Sequence, residues 1–301
     1  HLSIRRQSQM CIRDSKRIRR VSSTMPSLTF GDIAIPSEDA SQVYIFNNGG
    51  RHLRTVNALT GATLLTFGYD AAARLTTITD GNANVTTIQR NGSGVPTGIL
   101  SPDNQLTTLQ VNADGYLTRI ADPLNNAHTM TYYGAGGLLA TFADPRGNTT
   151  QLTYDAGGRL IQHRNAANAV TTLTRGTDAE GYIVTLDTPL NRQTIYDVSR
   201  NTLDTRTRVN TQPNGLQTQS TRTTGAVRTA TQPNGMTTTS TQTGDPRFSM
   251  LAPVTSGTTI TPANRIMTVS ETRTAILSNL SNPFSLTTLT ENVSINGRIY
   301  G

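Results

Sequence analysis

The chain has 301 residues, 35% of them hydrophobic and 5% aromatic with no tryptophan, and a formal net charge of +7. So thin a supply of large apolar side chains excludes a thick globular core and favours packing on sheet faces. No stretch approaches the roughly 18 consecutive apolar residues of a membrane span, and seven of the basic residues crowd into the first 20 positions, so the fold lacks the distributed basic face of a nucleic-acid binder.

Residues 1–24 form a basic leader unlike the rest of the chain, read as non-native or disordered. Gln9-Met10-Cys11-Ile12-Arg13-Asp14-Ser15 resembles translated sequencing-adapter read-through. The leader lacks the apolar stretch of about 7–15 residues that a secretory signal needs. Cys11 is the single cysteine, so neither a disulfide nor thiol chemistry is expected, and the redox compartment is left open.

From residue 25 to 204 one phrase recurs. Its first residues fall at Tyr69, Arg90, Val111, Tyr133 and Tyr154, and its cleanest copy is Tyr154-Asp155-Ala156-Gly157-Gly158-Arg159-Leu160. Looser copies stand at Phe46 to Arg51, at Thr177 to Ile183, and at Tyr196-Asp197. A fixed period of about 21 residues means a stack of one small unit, an elongated array rather than two globules. Between copies lie Asp80-Gly81-Asn82, Ser101-Pro102-Asp103-Asn104, Asp122-Pro123-Leu124-Asn125, Asp144-Pro145-Arg146-Gly147 and Asn165-Ala166-Ala167-Asn168.

Each repeat thus holds two turns and two short Thr-rich alternating runs, which is a β-hairpin. Asp or Asn bonds the amides ahead of it, Gly supplies a positive φ, and Pro fixes φ at the second turn. The pairs Tyr69 and Leu75, Val111 and Leu117, Tyr133 and Leu139, and Tyr154 and Leu160 are expected to stack between repeats as the core. The fold class is therefore all-β, with repetitive hairpins stacked into a curved or spiralling antiparallel sheet.

Tyr-Asp-x-x-Gly-Arg-Leu at this period, interleaved with Asp-Pro-x-Gly-Asn turns, resembles the Rhs or YD-repeat family over roughly residues 43–245. The resemblance implies a spiralling β-sheet, a partial YD-repeat shell, around a hollow. It also implies a C-terminal toxin or effector as cargo; related repeats occur in insecticidal toxin complexes and in animal cell-adhesion proteins of the teneurin kind. On that basis the chain is expected to be a non-catalytic scaffold, a fragment of the shell of a secreted or cell-surface bacterial protein. Its partners would be its own C-terminal toxin or effector domain and an immunity protein. The alternative is a surface adhesin or carbohydrate-binding module using the exposed sheet face.

Residues 205–301 continue the array in degenerate, Thr-rich form. Thr211-Gln212-Pro213-Asn214-Gly215 recurs as Thr231-Gln232-Pro233-Asn234-Gly235. Pro and Gly punctuate the stretch from Asp245-Pro246-Arg247 to Asn264. Alternating runs at Ile266 to Leu280 and Phe284 to Ile299 are predicted strands, ending at the hairpin turn Asn296-Gly297.

No catalytic, cofactor-binding or metal residues are assigned, and no cofactor is expected. Asp122 and Asp144 head a paired Asp-Pro element like the aspartyl autoprotease of the resembled family. Their gap is one repeat period, however, and Asn125 stands where Gly is expected, so turn chemistry is the reading. His52, His128 and His163 have no Cys or carboxylate at ligand spacing and are expected on strand faces. Ser93 falls in a turn, and Asp70, Asp155 and Asp197 are read as turn acceptors.

Overall fold

The computed structural model describes residues 32–262 and 265–300, so the expectation for the leader 1–24 lies outside the described residues. The strands are β1 Ile33–Pro36, β2 Gln42–Phe46, β3 His52–Asn57, β4 Thr63–Tyr69, β5 Leu75–Asp80, β6 Val85–Arg90, β7 Pro96–Leu100 and β8 Leu106–Val111. They continue as β9 Leu117–Ala121, β10 Ala127–Tyr133, β11 Leu138–Ala143, β12 Thr149–Tyr154, β13 Leu160–Arg164, β14 Val170–Asp178, β15 Gly181–Asp187 and β16 Gln193–Arg200. The last are β17 Arg206–Thr211, β18 Gln217–Arg222, β19 Val227–Thr231, β20 Thr237–Asp245, β21 Ser249–Thr261, β22 Met267–Leu277, β23 Leu286–Ile295 and β24 Arg298–Tyr300.

Every strand pairs antiparallel with its neighbours in sequence, from β1–β2 through β23–β24. Among the described residues the result is one 24-stranded meander. Short Thr- and Ile-rich runs joined by tight turns can pair only with what precedes and succeeds them, and antiparallel neighbours need no crossover. The expected all-β array of stacked hairpins is what forms.

Alternation gives the sheet two unlike faces. Phe67 stands opposite Ile78, Ile88 opposite Ile99, Leu109 opposite Ile120, Met130 opposite Phe142, Leu152 opposite His163 and Leu173 opposite Leu186. This half-buried row, not the Tyr-and-Leu row predicted from the phrase, is the apolar face of the wall. The phrase positions sit at the strand ends instead: Tyr69 pairs with Leu75, Val111 with Leu117 and Tyr154 with Leu160, while Tyr133 pairs with Leu138 and Tyr132 with Leu139. Tyr133 is exposed. A 3-10 turn at Gly134–Gly136 takes up the extra residue of that repeat.

A β-bulge marks the phrase end of successive hairpins, beside Phe46, Tyr69, Arg90, Val111, Tyr132 and Tyr154. The ladders across the Asp-Pro turns carry none. One extra residue at one end of each hairpin bends and twists the sheet in a fixed sense, so the odd period of 21 is itself a source of curvature.

The curvature brings the ends of the sheet together. Nineteen strand spacings separate β2 from β21, which at about 4.8 Å each would be about 90 Å on a flat sheet. Yet Arg247 Nη1 donates to the Ala58 carbonyl at 2.5 Å. Val43, Ile45, Val56 and Ala58 from the start of the chain are buried with Phe248 and Ala252 from the β20–β21 hairpin. Phe284 packs against the same cluster. The punctuated stretch from Asp245 to Asn264, expected as breakers, is mostly the long strand β21; Pro253 fits because register shifts flank its pairing partner Gly244.

Candidate functional site

Both recurring phrases build the same turn. In each, the amide of the turn's first residue, the Asp or Asn, donates to the carbonyl four residues on, and the amide of the turn's fourth residue returns to that first carbonyl, as at Asp70, Asp80, Asn91, Asn112, Asp122, Asp144 and Asp155. The first side chain closes the loop. Asp155 Oδ1 accepts from the amides of Gly157 and Arg159 at 2.8 and 2.9 Å, and Asn91 Oδ1 accepts from Ser93 and Val95 at 3.0 Å each. The fourth residue has positive φ, filled by Gly158 at 75° and by Asn125 at 66°. Asn tolerates that conformation, so the departure from Gly at Asn125 leaves the turn unchanged.

In three copies a side chain at or beside the phrase's first position reaches one repeat backward. Tyr69 Oη donates to the His52 carbonyl at 2.8 Å, Tyr132 Oη to the Leu117 carbonyl at 2.6 Å, and Arg90 Nη2 to the Leu75 carbonyl at 3.2 Å. Each acceptor adjoins a bulge. Tyr69 and Tyr132 are thus staples between repeats, and an arginine serves in the weakest copy. Tyr69→Phe and Tyr132→Phe are each expected to cost about 1 kcal/mol by urea unfolding; Tyr196→Phe, which has no such reach, is expected to stay within about 0.5 kcal/mol.

Where the sheet closes, charge is buried as well. Asp245, with its side chain fully buried, accepts from the amides of Arg247 and Phe248 on Oδ1 and from Arg273 Nη1 at 3.1 Å on Oδ2. The Arg247 side chain is 1% exposed and lies 3.6 Å from Asp245. Burial lowers the Arg247 pKa, and the Asp245 carboxylate opposes that shift. Arg273 also pairs with Glu291 at 2.6 Å on the exposed side. This clasp joins β1–β3 to β20–β23.

A profile described as Teneurin YD-shell matches residues 31–300. The chain belongs to the Teneurin YD-shell family. Mouse Teneurin-3 is 38% identical over 93 residues, which are 30% of this chain and 3% of that protein. Human Teneurin-4 is 30% identical over 119 residues, 39% of this chain and 4% of that protein. The chain therefore spans a small part of the curated relatives it matches. Among solved structures, a Photorhabdus luminescens Tc holotoxin pore aligns at 14% identity and a TM-score of 0.36, covering 78% of this chain and 16% of that one.

The candidate residues all have places in this YD shell. Asp122 and Asp144 head neighbouring turns at the same end of the sheet, each bonding an Asn four residues on through both its amide and its side chain. Those bonds, the Asn side chain's foremost, hold both carboxyls below their usual range. A proton-sharing dyad requires one of the pair to be raised. His52 stacks between Phe46 and Phe67 at 4.8 and 4.1 Å, with its pKa lowered by burial, and His128 stacks on Phe142 at 5.1 Å. His163 faces Leu152 on β13. Among the described residues no group of three or more His, Cys, Asp and Glu side chains converges, and no helix is long and apolar enough to cross a membrane.

Asp197 is not a turn acceptor: it lies within β16 between Ile183 and Val209, and its Oδ1 is buried with no hydrogen-bond partner. Tyr196-Asp197 lacks the phrase's following Gly, and the turn moves on to Asn201, whose side chain takes the amides of Leu203 and Thr205. The copy at Thr177 to Ile183 also departs, closing as a two-residue hairpin in which Asp178 pairs with Gly181.

The turn carboxyls give the wall an acid response. The amide of Arg74 lowers Asp70, the Asn84 side chain lowers Asp80, and the amide of Arg159 lowers Asp155. With folded values below unfolded ones, their stabilisation is complete above about pH 4, the unfolded value, and is lost as pH falls through the folded values. The melting temperature is expected to stay level from pH 7 to 5 and to fall steadily below about pH 4. A melting temperature unchanged down to pH 2.5 would contradict this.

Proposed function

We propose that this chain is a length of wall that encloses a polypeptide passenger, acting by exclusion rather than by catalysis. In its specific form, the passenger is the C-terminal toxin or effector domain of a secreted or cell-surface bacterial protein. The observation that carries the reading is the clasp: a single-layer meander curls until residues 189 apart in sequence are hydrogen-bonded. A sheet that returns on itself separates an inside from an outside, and its backbone, bonded strand to strand, leaves little for a protease to enter. The turn and staple side chains hold that curvature, so function is spread over many positions.

The test is protease protection in the full-length gene product. The passenger is expected to survive a protease dose that digests the same passenger expressed alone, and Phe248→Ala is expected to expose it. Equal digestion rates with and without the wall would overturn the proposal.

A further inference from the structure

The half-buried row that is largely apolar from β4 to β15 changes character at β16. On that same face Val198 is followed across the ladder by Arg208. Arg200, Arg206, Arg222 and Arg228 stand directly opposite one another in successive ladders. Four strands at about 4.8 Å place this row within about 15 Å. Like charges directly opposite destabilise a sheet, and Arg222 opposite Arg228 carries that cost.

Arg200 pairs with Asp204 at one end of the row. At the other end Arg228 Nε is buried with no hydrogen-bond partner, and Arg208 and Arg222 are exposed. Arg208, Arg222 and Arg228, with Arg206, Ser220 and Ser240, line a cleft of about 440 Å³, and among the described residues no carboxylate side chain lines it.

We infer that this cleft binds an acidic polypeptide segment, its carboxylates taken in series by Arg208, Arg222 and Arg228. The inference rests on the enclosing role proposed above and names the chemistry of the passenger it holds. A guanidinium fork meets a carboxylate through two parallel hydrogen bonds. The cationic row runs directly into Leu173, Leu186, Tyr196 and Val198 on the same face. A ligand that follows the face must therefore offer apolar and acidic groups in succession, which a polypeptide does. No aromatic ring lines the cleft itself, and stacking rings are what a single-stranded nucleic acid uses.

The probe is a fluorescein-labelled peptide of about eight residues alternating Glu and Leu, long enough at about 3.3 Å per residue to cross the row. Titrated with the 301-residue chain, its anisotropy is expected to rise saturably, with affinity falling as sodium chloride is added. The double variant R222Q/R228Q is expected to bind about tenfold more weakly or worse, and R192Q, in an exposed turn, to bind as the parent does. Melting of R222Q/R228Q at or above the parent's temperature would show that the fold is intact and the repulsion relieved.

No binding by the parent, equal binding by R222Q/R228Q, or equal binding of the Lys-for-Glu peptide would overturn the site. Tighter competition by a sulfated oligosaccharide or an oligonucleotide would do the same. Passenger protection that persists when peptide binding is absent removes this site alone, whereas peptide binding without protection removes the enclosing role.

Discussion

Phe248→Ala is expected to cost about 3–5 kcal/mol. Phe248 is 1% exposed and sits among Val43, Ile45, Val56, Ala58 and Ala252 in the cluster where the sheet closes. Elsewhere the wall is one layer thick and its apolar residues are half-buried, so neighbours around most positions can relax into solvent. At the clasp they cannot, because two parts of the sheet are fixed by their own ladders on either side of the ring. The cavity left by the ring stays open, which places the cost at the high end for its chemistry. Urea unfolding followed by tyrosine fluorescence would measure it, with Phe67→Ala as the comparison. Equal losses for the two would mean that the clasp holds nothing the wall does not.

Asp245→Asn is expected to be comparably severe, about 3–5 kcal/mol, because it leaves Arg247 buried without its counter-charge. The substitution preserves shape but not hydrogen bonding. Oδ1 accepts from two backbone amides and Oδ2 from Arg273. An Asn amide nitrogen must therefore face donors at one position or the other. Glu291→Gln, which removes the half-exposed partner of Arg273, is expected to cost less than about 1 kcal/mol. If Asp245→Asn proved no worse than Glu291→Gln in the same melt, the buried network would have no role in closure.

Both of these residues lie outside the repeat phrase of the YD shell. Turns and staples set the pitch of the wall and are repeated, so any one of them is worth little alone. Closure happens once, between segments far apart in sequence, and no period announces it. The one trace is the Asp-Pro element at Asp245-Pro246-Arg247-Phe248, in which Phe stands where the Asp-Pro turns at Asp122 and Asp144 carry Asn125 and Gly147 at positive φ.

The phrase itself was legible in most respects. Asp70, Asp144 and Asp155 close turns because an Asp side chain can reach two amides ahead of it whatever surrounds it. Asn125 could be foreseen as a turn residue on the same ground. The chain by itself misplaced the apolar row, because a phrase anchored on its turn marks strand ends, and the burying residues Ile88, Ile99, Leu109 and Ile120 lie two or three positions away from it. It also misread Tyr196-Asp197, where the letters persist but the turn has moved to Asn201 to Thr205. The shift of register from Tyr133 to Tyr132 was hidden for a related reason: one inserted residue is absorbed in a 3-10 turn that a spacing count cannot locate.

The local unit is written in the residues themselves: a hairpin with two turns of one kind, repeated every 21 residues or so, because turn chemistry and strand alternation act over fewer than ten residues. How far the sheet bends, and what meets when it has bent, emerges only from the folded whole. A small rotation at each bulge is invisible in one repeat and accumulates over twenty strands. That sum brings Phe248 onto Val43, buries Asp245 beside Arg247, and joins the row of arginines to the largely apolar face of the wall.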